Sequence, residues 1–286
     1  MKKLLFILLI GVVIGCAGET TPTPEIDIDA TVEARLAQKL LEEKKPEPTA
    51  TATPKPEPTA TPLFRGTIFV APETLTELDP TSFESISSKE DAYREMFDRR
   101  VGGWINIKPY LFEANFSDNL KIEVQVNPEF GTKEKAKQIA LEYLPSIGRI
   151  PSYLRKDVET IWLHDGNESY GGGNKNLLIH HGSTKKYVKK GILEETFMHE
   201  AVHTSLDEYH VFSKEWIDAQ SKDNGFISEY ALEFPQREDL AETFPICFGL
   251  KYKPSAFNEY VREKIFEIIP NRLEYCDKYF FDGLGY

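Results

Sequence analysis

The stretch that most restricts what this chain can fold into is His199-Glu200-Ala201-Val202-His203. Residues four apart stand about one turn from each other on one face of an α-helix, so both imidazoles can reach a common point. Residues 194–206 support such a helix. Phe197, Met198, Ala201, Val202 and Leu206 recur at spacings of three and four, and no Gly or Pro interrupts them. The fold must therefore bury one face of this helix while keeping two histidines accessible at its rim. Two imidazoles so spaced can hold one tetrahedral Zn²⁺, and Glu200 beside the first can face a water on that ion. The pattern predicts His199 and His203 as metal ligands, Glu200 as a general base, and one zinc per chain.

The net charge of −12 argues against nucleic acid, or an anionic membrane surface, as a partner. At the amino terminus Lys2 and Lys3 precede an apolar run over 4–14 that is too short to span a bilayer comfortably. The run ends Val13-Ile14-Gly15-Cys16, which resembles the lipobox of bacterial lipoproteins. That resemblance implies a signal peptide over 1–15 and cleavage before Cys16, with lipid added to the Cys16 thiol and to the new amino terminus. Several acyl chains anchor a protein stably where one does not. The mature protein is then lipid-anchored to a bacterial membrane and faces away from the cytoplasm. A plain secretory signal with an incidental Cys16 is the alternative.

Residues 16–63 read as a tether. No aromatic residue occurs between Phe6 and Phe64, eight of the eighteen prolines fall in this stretch, and Lys-Pro-Glu-Pro-Thr-Ala-Thr appears at 45–51 and again at 55–61. Such a composition cannot bury a core and favours an extended, polyproline-like chain. Residues 26–45, with Val32, Leu36 and Leu40 four apart, allow one short helix within it.

The folded domain is expected over 64–286. Its first half reads as mixed α and β, with strands predicted over 66–70, 104–110, 121–126, 158–163 and 176–181. Helices are predicted over 89–98 and from an N-cap at Thr132 to about Tyr143, before Pro145. Gly171-Gly172-Gly173 reads as a flexible rim, because no Lys-Ser or Lys-Thr follows to make a phosphate loop. The sheet edge near 177–181 could take an extended peptide by strand addition. The second half reads as nearly all helix: after the motif come 214–222, then 235–250, then 255–269 stopped by Pro270.

A catalytic zinc site uses three protein ligands and leaves one position open. The metzincin pattern would place Gly at 206 and His at 209, but Leu206 and Tyr209 stand there, and no methionine follows Met198 to make a Met-turn. Downstream, Glu238 and Glu242 stand one helical turn apart, so that one carboxylate could ligate while the other orients an imidazole. Glu229 and Glu233 repeat that spacing, but Pro235 follows and should break their helix. Between Ser228 and Phe244, a Tyr followed by Glu-x-x-Ala-Glu-x-Phe resembles the glutamate-zincins, as in the protease domain of anthrax lethal factor and its bacterial relatives. The resemblance spans residues 195–245. It implies a zincin-like α+β fold, a small mixed sheet beside the motif helix with a mainly helical C-terminal half. It also implies Glu238 as third ligand, Glu242 behind a ligand, and Tyr230 as an electrophilic helper for the oxyanion. Tyr230 departs from the family in standing eight residues before Glu238, one more than expected.

Cys247 and Cys276 are the thiols that remain after Cys16; an exported domain would bridge them, and two buried free thiols are the alternative. His180, His181 and His210 read as strand or surface residues, and Asp207 either orients a ligand or caps the motif helix. The sequence thus points to a zinc metallopeptidase acting on a peptide or protein substrate. A cell-surface binding lipoprotein with a structural or vestigial zinc site is the alternative.

Overall fold

The structure, a computed structural model, describes residues 60–72 and 74–282. The residues expected to form the signal peptide, Cys16 and the stretch expected to form a helix in the tether lie outside the described residues. Among the described residues eight strands form in the first half: β1 (Phe83–Ser88), β2 (Arg94–Asp98), β3 (Gly103–Ile107), β4 (Tyr110–Phe116), β5 (Lys121–Val126), β6 (Thr160–His164), β7 (Gly171–Gly173) and β8 (Asn176–His180). Six of them make one mixed sheet in the order β1-β4-β5-β6-β8-β7. β1, β4 and β5 run antiparallel, β5, β6 and β8 run parallel, and β7 closes the edge antiparallel to β8. A parallel step needs a crossover. Between β5 and β6 it is made by α1 (Lys133–Leu141), α2 (Leu144–Arg149) and α3 (Ser152–Arg155), with the Thr132 hydroxyl capping α1 at Lys135 N–H (3.3 Å).

Strand periodicity gives the sheet two different faces. Ile161, Leu163, Leu177 and Ile179 belong to the main core with Phe197, Met198, Ala201 and Val202 of the motif helix. The alternate residues Trp162 and Leu178 belong to a smaller cluster with Met96, against which Phe97, Ile105 and Ile107 pack. The β2–β3 hairpin therefore covers the face opposite the helices. This corrects the helix expected over 89–98. Met96 and Asp98 alternate inward there, and pairing with β3 against Trp162 outweighs any local helical preference.

The second half is helical: α4 (His181–Lys190), α5 (Leu193–Ser205, the motif helix), α6 (Asp207–His210), α7 (Lys214–Lys222), α8 (Glu229–Glu233), α9 (Asp239–Tyr252), α10 (Glu259–Ile268) and α11 (Pro270–Phe280). Pro270 ends one helix and opens the next, where its missing N–H costs nothing. The helix expected over 235–250 begins only at Asp239, because Phe234–Arg237 turns first. Cys247 of α9 and Cys276 of α11 form a disulfide, with Cα atoms 6.3 Å apart. The same two helices are tied by a fully buried Arg272, which reaches both Asp223 (2.8 Å) and Asp239.

The strand expected over 66–70 is instead a strap of turns. Ala60 and Phe64 pair with Gly225 and Ser228 as isolated parallel bridges, and Thr67 N–H then leaves any ladder to meet a carboxylate in the site.

Candidate metal centre

Helix α5 buries its apolar face in the core and brings His199, Glu200 and His203 to one wall of a cleft of about 1470 Å³. The strap, β7 and α8 supply other parts of the wall. The edge strand can approach α5 so closely because Gly172 carries no side chain. A Cβ there would lie 2.6 Å from the Glu200 carbonyl carbon and 2.9 Å from its Cα. Gly173 N–H then donates to Thr204 Oγ1 (2.9 Å), so the glycine run is an edge strand bolted to the motif helix, not a flexible rim.

Glu238 is the N-cap residue of α9, a separate element. Its carboxylate is buried, with Oε2 3.2 Å from His203 Nε2 and 3.5 Å from His199 Nε2. One ligand atom from each of these three residues lies within 4.8 Å of the others. Ligand atoms at about 2.0–2.1 Å from a tetrahedral ion stand roughly 3.3 Å apart, so these separations match the edges of such a site. Oε2 is the atom without an aligned donor, while Oε1 accepts from Arg237 Nε (2.7 Å) and Tyr230 OH (3.0 Å). One oxygen is thus occupied by protein donors and the other faces the imidazoles. A buried carboxylate oxygen short of partners, between two imidazole nitrogens, fits a cation.

The surrounding groups hold these side chains in place. Asp207 Oδ2 accepts from His203 Nδ1 (2.8 Å), which turns the lone pair of Nε2 towards Glu238 and decides the role left open for Asp207. Glu242 Oε1 stands 3.6 Å from His199 Nδ1, and its Oε2 accepts from Thr67 N–H (2.8 Å). Tyr230 lies in α8, whose start is capped by Ser228, and Arg237 Nη2 donates to its hydroxyl (3.2 Å). The start of α9 is pinned through Asp239 by Arg272 and by Gln220 (3.0 Å).

The electrostatics describe a pocket that favours positive charge. Burial alone would raise the Glu238 carboxyl, but His199, His203 and Arg237 reverse this and hold it far below the usual range. Burial alone would lower His203, yet Asp207 and Glu238 raise it to about 10. His199 is likewise raised against its burial, by Glu238 and Glu200. Burial and the Glu238 charge push the Tyr230 phenol up, so it remains a donor at neutral pH.

The structure therefore brings His199, His203, Glu238, Glu242, Glu200 and Tyr230 to one place. Glu229 and Glu233 line the cleft without joining the cluster. His180 is wholly buried in β8, stacked on His164 (5.6 Å), and His210 bonds Tyr275 OH (2.7 Å). His181 opens α4 and meets Tyr143 OH (2.5 Å). Sequence reasoning missed Arg237, although it sits next to Glu238. It also missed the Thr67 N–H, which no side-chain pattern signals. Comparisons with protein-family models, with curated proteins and with solved structures gave no match for this chain.

Proposed function

We propose that this protein is a zinc-dependent peptidase of zincin-like fold, carried at the outer face of a bacterial membrane by an amino-terminal lipid on Cys16. The observation that carries the reading is the convergence of His199, His203 and Glu238 beside Glu200 in an open cleft. When bound, Zn²⁺ supplies Lewis acidity, polarising a peptide carbonyl and making water acidic enough to ionise near neutral pH. His199, His203 and Glu238 Oε2 would hold it. Among the described residues the group has three members, which suits a catalytic site with an open position better than a closed structural one.

The remaining steps belong to the chain's own groups. Glu200 takes a proton from the attacking water at its carboxylate and returns it to the leaving amine. Asp207 keeps the proton of His203 on Nδ1 and Glu242 faces Nδ1 of His199, so both Nε2 atoms point to the ion site. Arg237 donates to both Glu238 Oε1 and the Tyr230 oxygen, so Oε1 keeps a partner when the neutral phenol turns its one proton from Glu238 to a developing oxyanion. The edge of β7 offers backbone groups to an extended peptide.

The test is metal content and turnover of the full chain. One zinc per chain is expected, lost or much weakened in Glu238→Ala. Glu200→Gln should keep zinc while losing hydrolysis of a peptide library. A wild-type protein without zinc in chelator-free buffer, or an equally active Glu200→Gln, refutes the proposal.

A further inference from the structure

Successive residues of a strand face opposite sides of its sheet. On β7, Gly172 faces the motif helix at Glu200, so Gly171 faces the hairpin side. A Cβ on Gly171 would lie 2.7 Å from Nη2 and 3.5 Å from Cζ of Arg99. The guanidinium thus rests on bare backbone at the sheet edge, and it lines the same cleft as Glu200.

The hairpin builds this placement. Arg99 follows β2 in a turn closed by Val101 N–H to Asp98 O and Gly102 N–H to Arg99 O, with Gly102 at φ +64°. The next residue, Arg100, is held by both Asp98 and Glu129 (2.7 Å each). Arg99 has no ion pair or hydrogen bond through its side chain among the described residues, although acids outnumber bases 46 to 34 in the chain. The other cleft arginines are occupied, Arg65 3.5 Å from Glu229 and Arg237 2.7 Å from Glu238. The Tyr187 phenol senses the same wall: burial raises it, the Glu200 charge adds to that, and Arg99 opposes it.

We propose that Arg99 forms a carboxylate-binding subsite, so that a peptide laid along β7 is preferred when an Asp or Glu side chain faces the hairpin side. The inference rests on the peptidase reading above and names its substrate class. An extended peptide turns alternate side chains to that side, and a guanidinium fork matches a carboxylate with two parallel hydrogen bonds. A free C-terminal carboxylate presents the same chemistry, and end-amidated peptides separate the two sources.

The experiment compares zinc-loaded full-length protein and its Arg99→Ala and Arg99→Glu variants on end-blocked peptides. The peptides carry Glu, Gln or Lys at each position flanking the cleaved bond. At one fixed position the wild type should favour Glu over its Gln twin in kcat/KM. Arg99→Ala should shrink that ratio about 10–100-fold, the range of one charge-assisted interaction. Arg99→Glu should turn the preference towards Lys. The same ratios are read without turnover, as anisotropy of labelled peptides on zinc-loaded Glu200→Gln with and without Arg99→Ala. A Glu preference that survives Arg99→Ala overturns the proposal, as does a preference for free C-termini that amidation abolishes. If wild type cleaves nothing while the binding ratio still depends on Arg99, the peptidase reading fails and the subsite stands.

Discussion

The contact between Gly172 and Glu200 ties the sheet to the candidate centre, and Gly172→Ala tests it with a single methyl group. Ordinary carbon contacts lie near 3.5–4.0 Å, whereas the new Cβ would overlap the Glu200 carbonyl oxygen and stand 2.6 Å and 2.9 Å from the carbonyl carbon and Cα of the same residue. Backbone cannot swing aside as a long side chain can, so β7 must retreat by more than about 1 Å, a shift set by that contact distance. Overpacking of this kind costs about 1–3 kcal/mol, and the stiffer unfolded chain returns about 0.4–1 kcal/mol. The net loss of about 1–2 kcal/mol should lower the Tm by roughly 2–8 °C for a domain of this size. Gly103→Ala is the matched control, since that glycine also lies in a strand but has nothing within 4 Å of its Cβ. Differential scanning calorimetry of both variants, beside zinc titration, gives the answer. Retreat of β7 should also raise KM for extended peptides while zinc stoichiometry stays at one. A Tm for Gly172→Ala equal to or above that of Gly103→Ala would refute the packing argument and with it the role of β7 as a fixed wall.

Burial raises Glu195, one turn before His199, to about 7, although Thr74 and Leu75 N–H groups bond its Oε1. A carboxyl raised from about 4.5 stabilises the fold most below pH 4.5, and that contribution is lost as pH rises through 7. Glu195→Gln should therefore gain about 3 kcal/mol relative to wild type on going from pH 4.5 to pH 8 in urea titrations. An effect independent of pH sinks the assignment. Because His203 is raised to about 10 without metal, zinc binding at pH 7–8 should release at least one proton per ion. Calorimetry in buffers of different ionisation enthalpy measures this, and a buffer-independent heat contradicts it. Arg272→Met leaves Asp223 and Asp239 buried and unpaired, for a loss of about 3–5 kcal/mol in urea stability. A loss below about 1 kcal/mol would mean the triad does not anchor α9.

Where local chemistry is self-sufficient, the sequence by itself determined the outcome. The motif helix follows from apolar spacing around two histidines, α1 from its Thr132 cap, and β5 and β8 from strand-like runs. The Glu238–Glu242 pair was legible because a one-turn spacing on α9 survives in any fold that keeps that helix. What only the tertiary structure decided concerns partners distant along the chain. Residues 94–98 became a strand because Met96 found Trp162 and Leu178, and residues 171–173 became an edge strand against α5 because Gly172, with no side chain, fits against Glu200. The Thr67 N–H reaches Glu242 across 175 residues, and the Arg99 guanidinium reaches Gly171 from the turn of a separate hairpin. Periodicity and capping act over one or two turns of chain. Excluded volume and buried hydrogen-bond satisfaction act between elements, and they set the walls around the two histidines.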